Sequence, residues 1–295
     1  MPEFNLRYAP HLGYVTPTPL FARSVGSDDP YDHARFAAAQ GFAGLFHPWI
    51  GARPTEEIAR FKTGLDDFGL EAGTIAYAPW DDALRPFWVS RRAEDRELLL
   101  EHVEASARLA RELGARNLAV LISESGEAET KQPQMATARE NLRYAAEIAE
   151  RYDVVLGLEP MVAVPGMLLQ SAYAAAELID KVDNPFVRLI FDTGHVASMD
   201  GSILEAQAAL ERLVCIYQLA DMPGRREPGA GDLELGELLA RLIAKGYRGL
   251  VELEHDWSSD SPETERAGIG LLQQLDSEAG RLAGETAEAA AADLR

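Results

Sequence analysis

The chain has almost no cysteine: Cys215 stands alone among 295 residues. One thiol excludes an internal disulfide, and its place in the apolar run VCIYQLAD (214–221) makes it a small core residue. Long apolar runs are also missing. None approaches the ~20 residues that a bilayer-spanning helix needs, which excludes a helical membrane protein. Basic residues are scarce, 28 Lys and Arg against 48 Asp and Glu, for a formal net charge of −20. That charge repels phosphate backbones, and no local basic patch offsets it, so no nucleic acid is expected as a partner. The opening MPEFNLRYAP lacks a basic segment followed by an apolar one, and the expectation is a cytoplasmic protein.

What is present is one alternation, repeated. Eight short apolar or β-branched runs, NLRYAPHL, FAGLFHP, EAGTIAYAP, RNLAVLIS, VVLGLEP, VRLIFDTGH, VCIYQLAD and GLVELEH, alternate with amphipathic segments from residue 4 to about 275. The runs are continuously apolar, as strands buried on both faces of a parallel sheet are. Between them, Asp29-Pro30 reads as the cap and first position of one helix. Ile58, Phe61, Leu65 and Phe68 recur at helical spacing before Gly69 in the next. Further helices are expected over 90–113, 133–152, 171–182, 202–212, 235–245 and 262–275. Eight β/α units in this length, with no G-x-G-x-x-G after the first run, indicate a single (β/α)8 TIM barrel over 1–275. The Ala- and Glu-rich tail 276–295, lacking a clear apolar stripe, is expected to be helical or disordered.

TIM barrels build their active sites at the C-terminal ends of the strands, so the polar residues that close each run are the candidates. These are His11, His47, Glu159, Asp192 with His195, Gln218 with Asp221, and Glu254 with His255. The last four runs thus supply Glu159, Asp192, Gln218 and Glu254. Three carboxylates around one axis repel unless a cation lies among them, and an all-oxygen set suits Mn²⁺ or Mg²⁺ better than Zn²⁺ or Co²⁺. Taken one by one, each carboxylate has a blander reading as a helix cap or an arginine partner. In VELEH both Glu252 and Glu254 face the same side. Glu254 is nearer the strand end and is preferred, while Glu252 lies a layer deeper and needs a partner such as a buried Arg. Trp49, Trp80, Trp88 and Trp257 follow strand ends and none is expected on a helix face. They are expected to wall a pocket over the metal, the alternative being an interface cluster, and a homo-oligomer is compatible with this.

GLEP (157–160), FDTGH (191–195), YQLADMPGRREPGAGDL (217–233) and GYRGLVELEH (246–255) together resemble the hydroxypyruvate isomerase family of the xylose isomerase-like TIM barrels. Ketose 3-epimerases, inosose-processing enzymes and endonuclease IV share that fold. The resemblance implies a sugar or sugar-acid isomerase acting through an enediolate, in which Glu159 and Glu254 are metal ligands and the acid/base pair. It implies that Asp192 and Gln218 complete the ligand set, that His195 contacts substrate and that Arg225 reaches its far end, with Arg226 a close competitor. The loops LFHPWIGARP and TIAYAPWDDALRPFWVS carry His47 and bulky Trp residues where the family usually has Asn and Gly, so the substrate is a small sugar or sugar acid not otherwise specified. An endonuclease IV reading is disfavoured by the charge and by only six His. A 3-epimerase or an inosose dehydratase-like lyase would use the same cage, but Gln218, where epimerases more often place His, favours the isomerase. A non-catalytic sugar-acid binding protein or complex subunit is the alternative of another class.

Overall fold

The eight apolar runs close into one ring of parallel strands. A computed structural model describes residues 4–126 and 130–293. The strands are β1 (Arg7–Pro10), β2 (Gly44–Leu45), β3 (Glu71–Ala72), β4 (Ile75–Ala76), β5 (Asn117–Val120), β6 (Val155–Leu158), β7 (Val187–Asp192), β8 (Val214–Leu219) and β9 (Leu250–Leu253). β4 to β9 pair in sequence order, β9 pairs with β1, and β2 pairs with β3. The ring closes through Phe46 N to Pro10 O (3.0 Å) on one side of β2 and Ala76 N to Pro48 O (2.7 Å) on the other.

Nine strands serve eight positions because the third run breaks at Gly73-Thr74. There the backbone N–H of Thr74 turns inward and donates to Glu252 Oε1 at 2.6 Å. Gly73 permits the approach, since a Cβ on it would lie 2.8 Å from the same oxygen and 3.0 Å from Phe46 Cα.

Strand alternation then sorts the side chains. Ala9, Phe46, Ala119, Ile190, Ile216 and Leu250 form a small cluster inside the ring. Leu118, Leu156, Leu158, Leu189, Phe191 and Val251 belong to the larger core beneath the helices. Cys215 is half-buried, its Sγ donating to Leu189 O, and burial raises its pKa to about 12, so it is an unreactive thiol.

The helix boundaries follow the capping chemistry. Asp29 caps Pro30–Ala39 by accepting from Tyr31 N, and Thr55–Phe68 and Ala93–Leu113 stop at the left-handed Gly69 and Gly114. The last helix, Pro262–Asp293, continues through the expected boundary at 275. Asp276 is buried and accepts from Asn5 N (2.7 Å), Leu6 N (3.1 Å) and the Tyr8 hydroxyl (2.9 Å). Ala279 and Ala283 pack into the core beyond it. The stripe is made of small residues, which is why it is faint in the sequence. Among the described residues no helix is long and apolar enough to cross a membrane.

Candidate active site

The inward positions change character toward the C-terminal ends of the strands. Above Ile190 and Ile216 come Asp192 and Gln218, in register with each other across β7 and β8. Gln218 is in turn in register with Glu252 on β9. Glu159 and Glu254 follow β6 and β9 directly. One ligand atom from each of Glu159, Asp192, His195 and Glu254 lies within 4.8 Å of all the others, and all four side chains are buried. His195 joins because Asp192 both ends β7 and caps the next helix, Thr193–Asp200, accepting from His195 N at 2.7 Å. His195 Nε2 stands 3.7 Å from Glu159 Oε1.

Gln218 is held from below. Its Nε2 donates to Glu252 Oε2 at 3.1 Å, while Glu252 Oε1 takes the Thr74 amide. This fixes the side-chain amide, and Gln218 Oε1, fully buried, has no hydrogen-bond partner. The partner of Glu252 is therefore a glutamine and a backbone amide, where the sequence suggested an arginine.

Between β8 and the helix Leu235–Ala244, the chain wraps around Asp221. Its Oδ1 accepts from Met222 N and Leu233 N, and its Oδ2 from Gly229 N and Gly231 N, at 2.9–3.0 Å. Gly231 is required by this closeness, since a Cβ there would sit 2.4 Å from Met222 O and 2.5 Å from Asp221 Oδ1. The wrapped loop places Arg225 in a left-handed conformation, φ 49°, pointing inward, and leaves Arg226 exposed. Arg225 forks onto Asp192, Nη1 to Oδ1 and Nη2 to Oδ2 at 2.9 Å each, and Nη2 also reaches Glu254 Oε1 at 3.0 Å. Rather than extending to a distant subsite, Arg225 joins two carboxylates of the cluster.

The electrostatics follow from burial. Burial, reinforced by the Asp192 charge, pushes Glu159 up to about 8, and Glu254 is raised for the same reasons with Glu159 as its charged neighbour. Burial also acts on Asp192, but the Arg225 guanidinium and His195 outweigh it and hold that carboxyl below its usual value. Burial lowers the His195 pKa and keeps the imidazole neutral. Glu252 is raised to about 7 by burial despite its hydrogen bonds. These shifts separate one firmly ionised carboxylate, Asp192, from three carboxyls, Glu159, Glu252 and Glu254, that hold their protons more tightly than a free carboxylate.

A cavity of about 240 Å³ opens over the cluster and reaches Glu159, His195, Gln218, Arg225 and Glu254. Trp49 and Trp80 form part of its wall, packed edge to face at 5.1 Å. Other sequence candidates lie outside it, His255 among them, whose Nδ1 faces Asp256 O. His11 Nε2 faces His255 O at 3.1 Å, and His11 Nδ1 accepts from Gly13 N, so this ring organises the first loop. His47 faces a separate cavity of about 310 Å³, beside Glu57 and Arg53. Trp257 donates its indole N–H to Leu20 O and packs on Phe21. Trp88, fully buried in a 3-10 turn, packs on Tyr77. Trp80 itself opens a short helix, Trp80–Ala83, contrary to the expectation that no Trp lies on one. Sequence reasoning missed Tyr14, Val15, Met161 and Val164 in the wall. Nothing in their local pattern distinguishes them from loop residues.

The donor set fits a divalent cation. Three carboxylates and one imidazole converge in a buried space, Gln218 with its unpartnered amide oxygen lines the same cavity, and hard oxygens predominate. Residues 34–275 match the model of the family described as xylose isomerase-like TIM barrel. The chain belongs to this family. A putative hydroxypyruvate isomerase of Streptomyces coelicolor is 33% identical over 239 residues, 76% of this chain and 84% of that protein. A 2-oxo-tetronate isomerase of Haemophilus influenzae is 26% identical, with 76% of this chain and 86% of the relative covered. Among solved structures, the 3-keto-D-glucoside 4-epimerase of E. coli superposes with a TM-score of 0.74 over 92% of this chain and 99% of that one. At 18% identity it speaks to the fold alone. The named relatives are isomerases, the enzyme class to which the motifs point.

Proposed function

We propose that this protein is a metal-dependent isomerase of a small sugar or sugar acid, moving a proton between neighbouring carbons of a hydroxy-carbonyl unit by way of an enediolate. The observation that carries this reading is the convergence of Glu159, Asp192, His195 and Glu254 within 4.8 Å, beside the unpartnered Gln218 oxygen. Glu159, Asp192, Gln218 and Glu254 would hold Mn²⁺ or Mg²⁺. Such an ion would supply Lewis-acid stabilisation of negative charge developing on the substrate oxygens.

The side chains do the rest. Glu159 and Glu254 stand on opposite sides of the Asp192–Arg225 pair in strand order, and burial raises both carboxyls above the ordinary carboxylate range, so each holds a proton more tightly than a free carboxylate. One oxygen removes the carbon-bound proton, and a glutamate returns it to the adjacent carbon. His195, neutral and buried, offers a donor to a substrate hydroxyl. Arg225 is anchored and places a fixed positive charge beside the forming enediolate oxygen.

The test is proton exchange in D₂O with Mg²⁺-loaded protein and a panel of hydroxypyruvate, tartronate semialdehyde, 2-oxo-tetronates and free ketoses, followed by NMR. Chelator-sensitive deuterium uptake beside the carbonyl, with conversion to the isomeric carbonyl, is the expected result. Deuterium uptake without isomer, but with inversion at the exchanging carbon, would replace the isomerase by an epimerase.

A further inference from the structure

The cavity is polar at its floor and apolar at its mouth. The floor is the acid/base cluster with Gln218 and Arg225. The walls above are Tyr14, Val15, Trp49, Trp80, Met161 and Val164. Among the described residues seven large hydrophobic side chains are exposed. Val15 (70%) and Trp80 (38%) belong to this wall, and Val162 (44%) follows Met161 on the same loop. Exposed apolar surface gathered at the entrance of a site calls for an occupant.

The mouth has little to offer a charged or polyhydroxylated chain end. Trp49 spends its indole N–H on Tyr14 O at 2.6 Å. Arg225 is the one cation lining the cavity, and its Nη1 and Nη2 are already engaged by Asp192 and Glu254. The further polar groups at the mouth are the Tyr14 hydroxyl, which is hydrogen-bonded to Asp256, and Asp256 itself, an exposed acid. A carboxylate at the far end of the substrate would lose water without gaining a cation, and would stand beside a like charge. An aromatic ring there would instead meet aromatic and branched side chains.

We infer that the substrate is a sugar unit joined at its far end to an apolar group, aromatic for preference, with its carbonyl end in the cluster and the apolar group against Tyr14, Val15, Trp80 and Val164. This deepens the isomerase reading and rests on it. The test compares erythrulose with 4-O-benzyl-erythrulose on the Mg²⁺-loaded protein, by deuterium exchange and by saturation-transfer NMR on the Glu254→Gln variant, which reports binding without turnover. The expected result is a kcat/KM at least tenfold higher for the benzyl ether, carried by KM, with saturation transferred to the benzyl protons. Val15→Ser and Trp80→Ser should each reduce that preference. Equal or better use of free erythrulose, with no transfer to the benzyl ring, would overturn the inference and leave the isomerase standing. No exchange with either ketose would overturn the inference, and no exchange with the hydroxypyruvate, tartronate semialdehyde and 2-oxo-tetronates of the panel either would overturn the isomerase as well.

Discussion

Asp221 offers the most direct way to separate the loop that carries Arg225 from the barrel that carries the carboxylates. Its two oxygens take four backbone N–H groups, two each. In Asp221→Asn, whichever way the amide turns, its NH₂ faces two donors, and two charge-assisted hydrogen bonds are lost. At about 1.5–3 kcal/mol each, the local loss is roughly 3–6 kcal/mol. Pro223, Gly224 and Arg226 are exposed, so the loop opens locally instead of passing the whole cost to global unfolding. Hydrogen exchange of Gly229, Gly231 and Leu233 should accelerate about a hundredfold or more, equivalent to ~3 kcal/mol. The urea midpoint should move little, and turnover should fall with the loss of Arg225's anchor. Unchanged exchange in these three amides would refute the idea that Asp221 organises the loop. Gly231→Ala, which drives a methyl into Met222 O and Asp221, should reproduce the same pattern.

Three further outcomes follow from the same structure. Glu252→Gln leaves one acceptor oxygen where two serve Thr74 N and Gln218 Nε2; with that oxygen on Thr74 N the new amide N–H faces Gln218, which must flip its own oxygen toward it, and calorimetry should report divalent-metal affinity weaker by about 10–100-fold. In chelator-treated protein, Glu159, raised from 4.5 to about 8, binds its proton more tightly folded than unfolded. The associated stability is whole below pH 4.5 and is lost as pH rises through about 8. Between pH 7 and 9 urea unfolding should show a fall of about 1 kcal/mol or more, and metal uptake at pH 7 should release protons. Asp276→Ala strips the acceptor from Asn5 N, Leu6 N and Tyr8 Oη and should cost about 3–5 kcal/mol in thermal or urea unfolding, with the activity of the folded fraction retained.

The ring and most helix limits were legible because they rest on local chemistry: continuous apolar runs, Asp29-Pro30, Gly69 and Gly114. Glu159, Asp192 and Glu254 were legible as neighbours because strand alternation and the C-terminal rule place them at one height, whereas His195, read as a substrate contact, joins their cluster through the helix that Asp192 caps. The break at Gly73-Thr74 was not, since its cause is a carboxylate 178 residues away. His47 and His11 also close strand runs, yet their rings turn to Glu57 and His255, a choice made by tertiary packing. The wall of Tyr14, Val15, Met161 and Val164 comes from loops whose meeting depends on the closed barrel. The tail's role was hidden because alanines give a weak apolar signal, and Asp276 reads as a surface acid until its four donors are seen.

In the proposed reaction Glu159 and Glu254 move the proton. The measurement that tests it most directly is isomer formation and deuterium uptake by Glu159→Gln and Glu254→Gln, each shown by circular dichroism to be folded and by calorimetry to carry its divalent ion. Both should lose interconversion by at least a thousandfold while remaining folded. Turnover within tenfold of the parent protein in either metal-bearing variant would contradict the assignment.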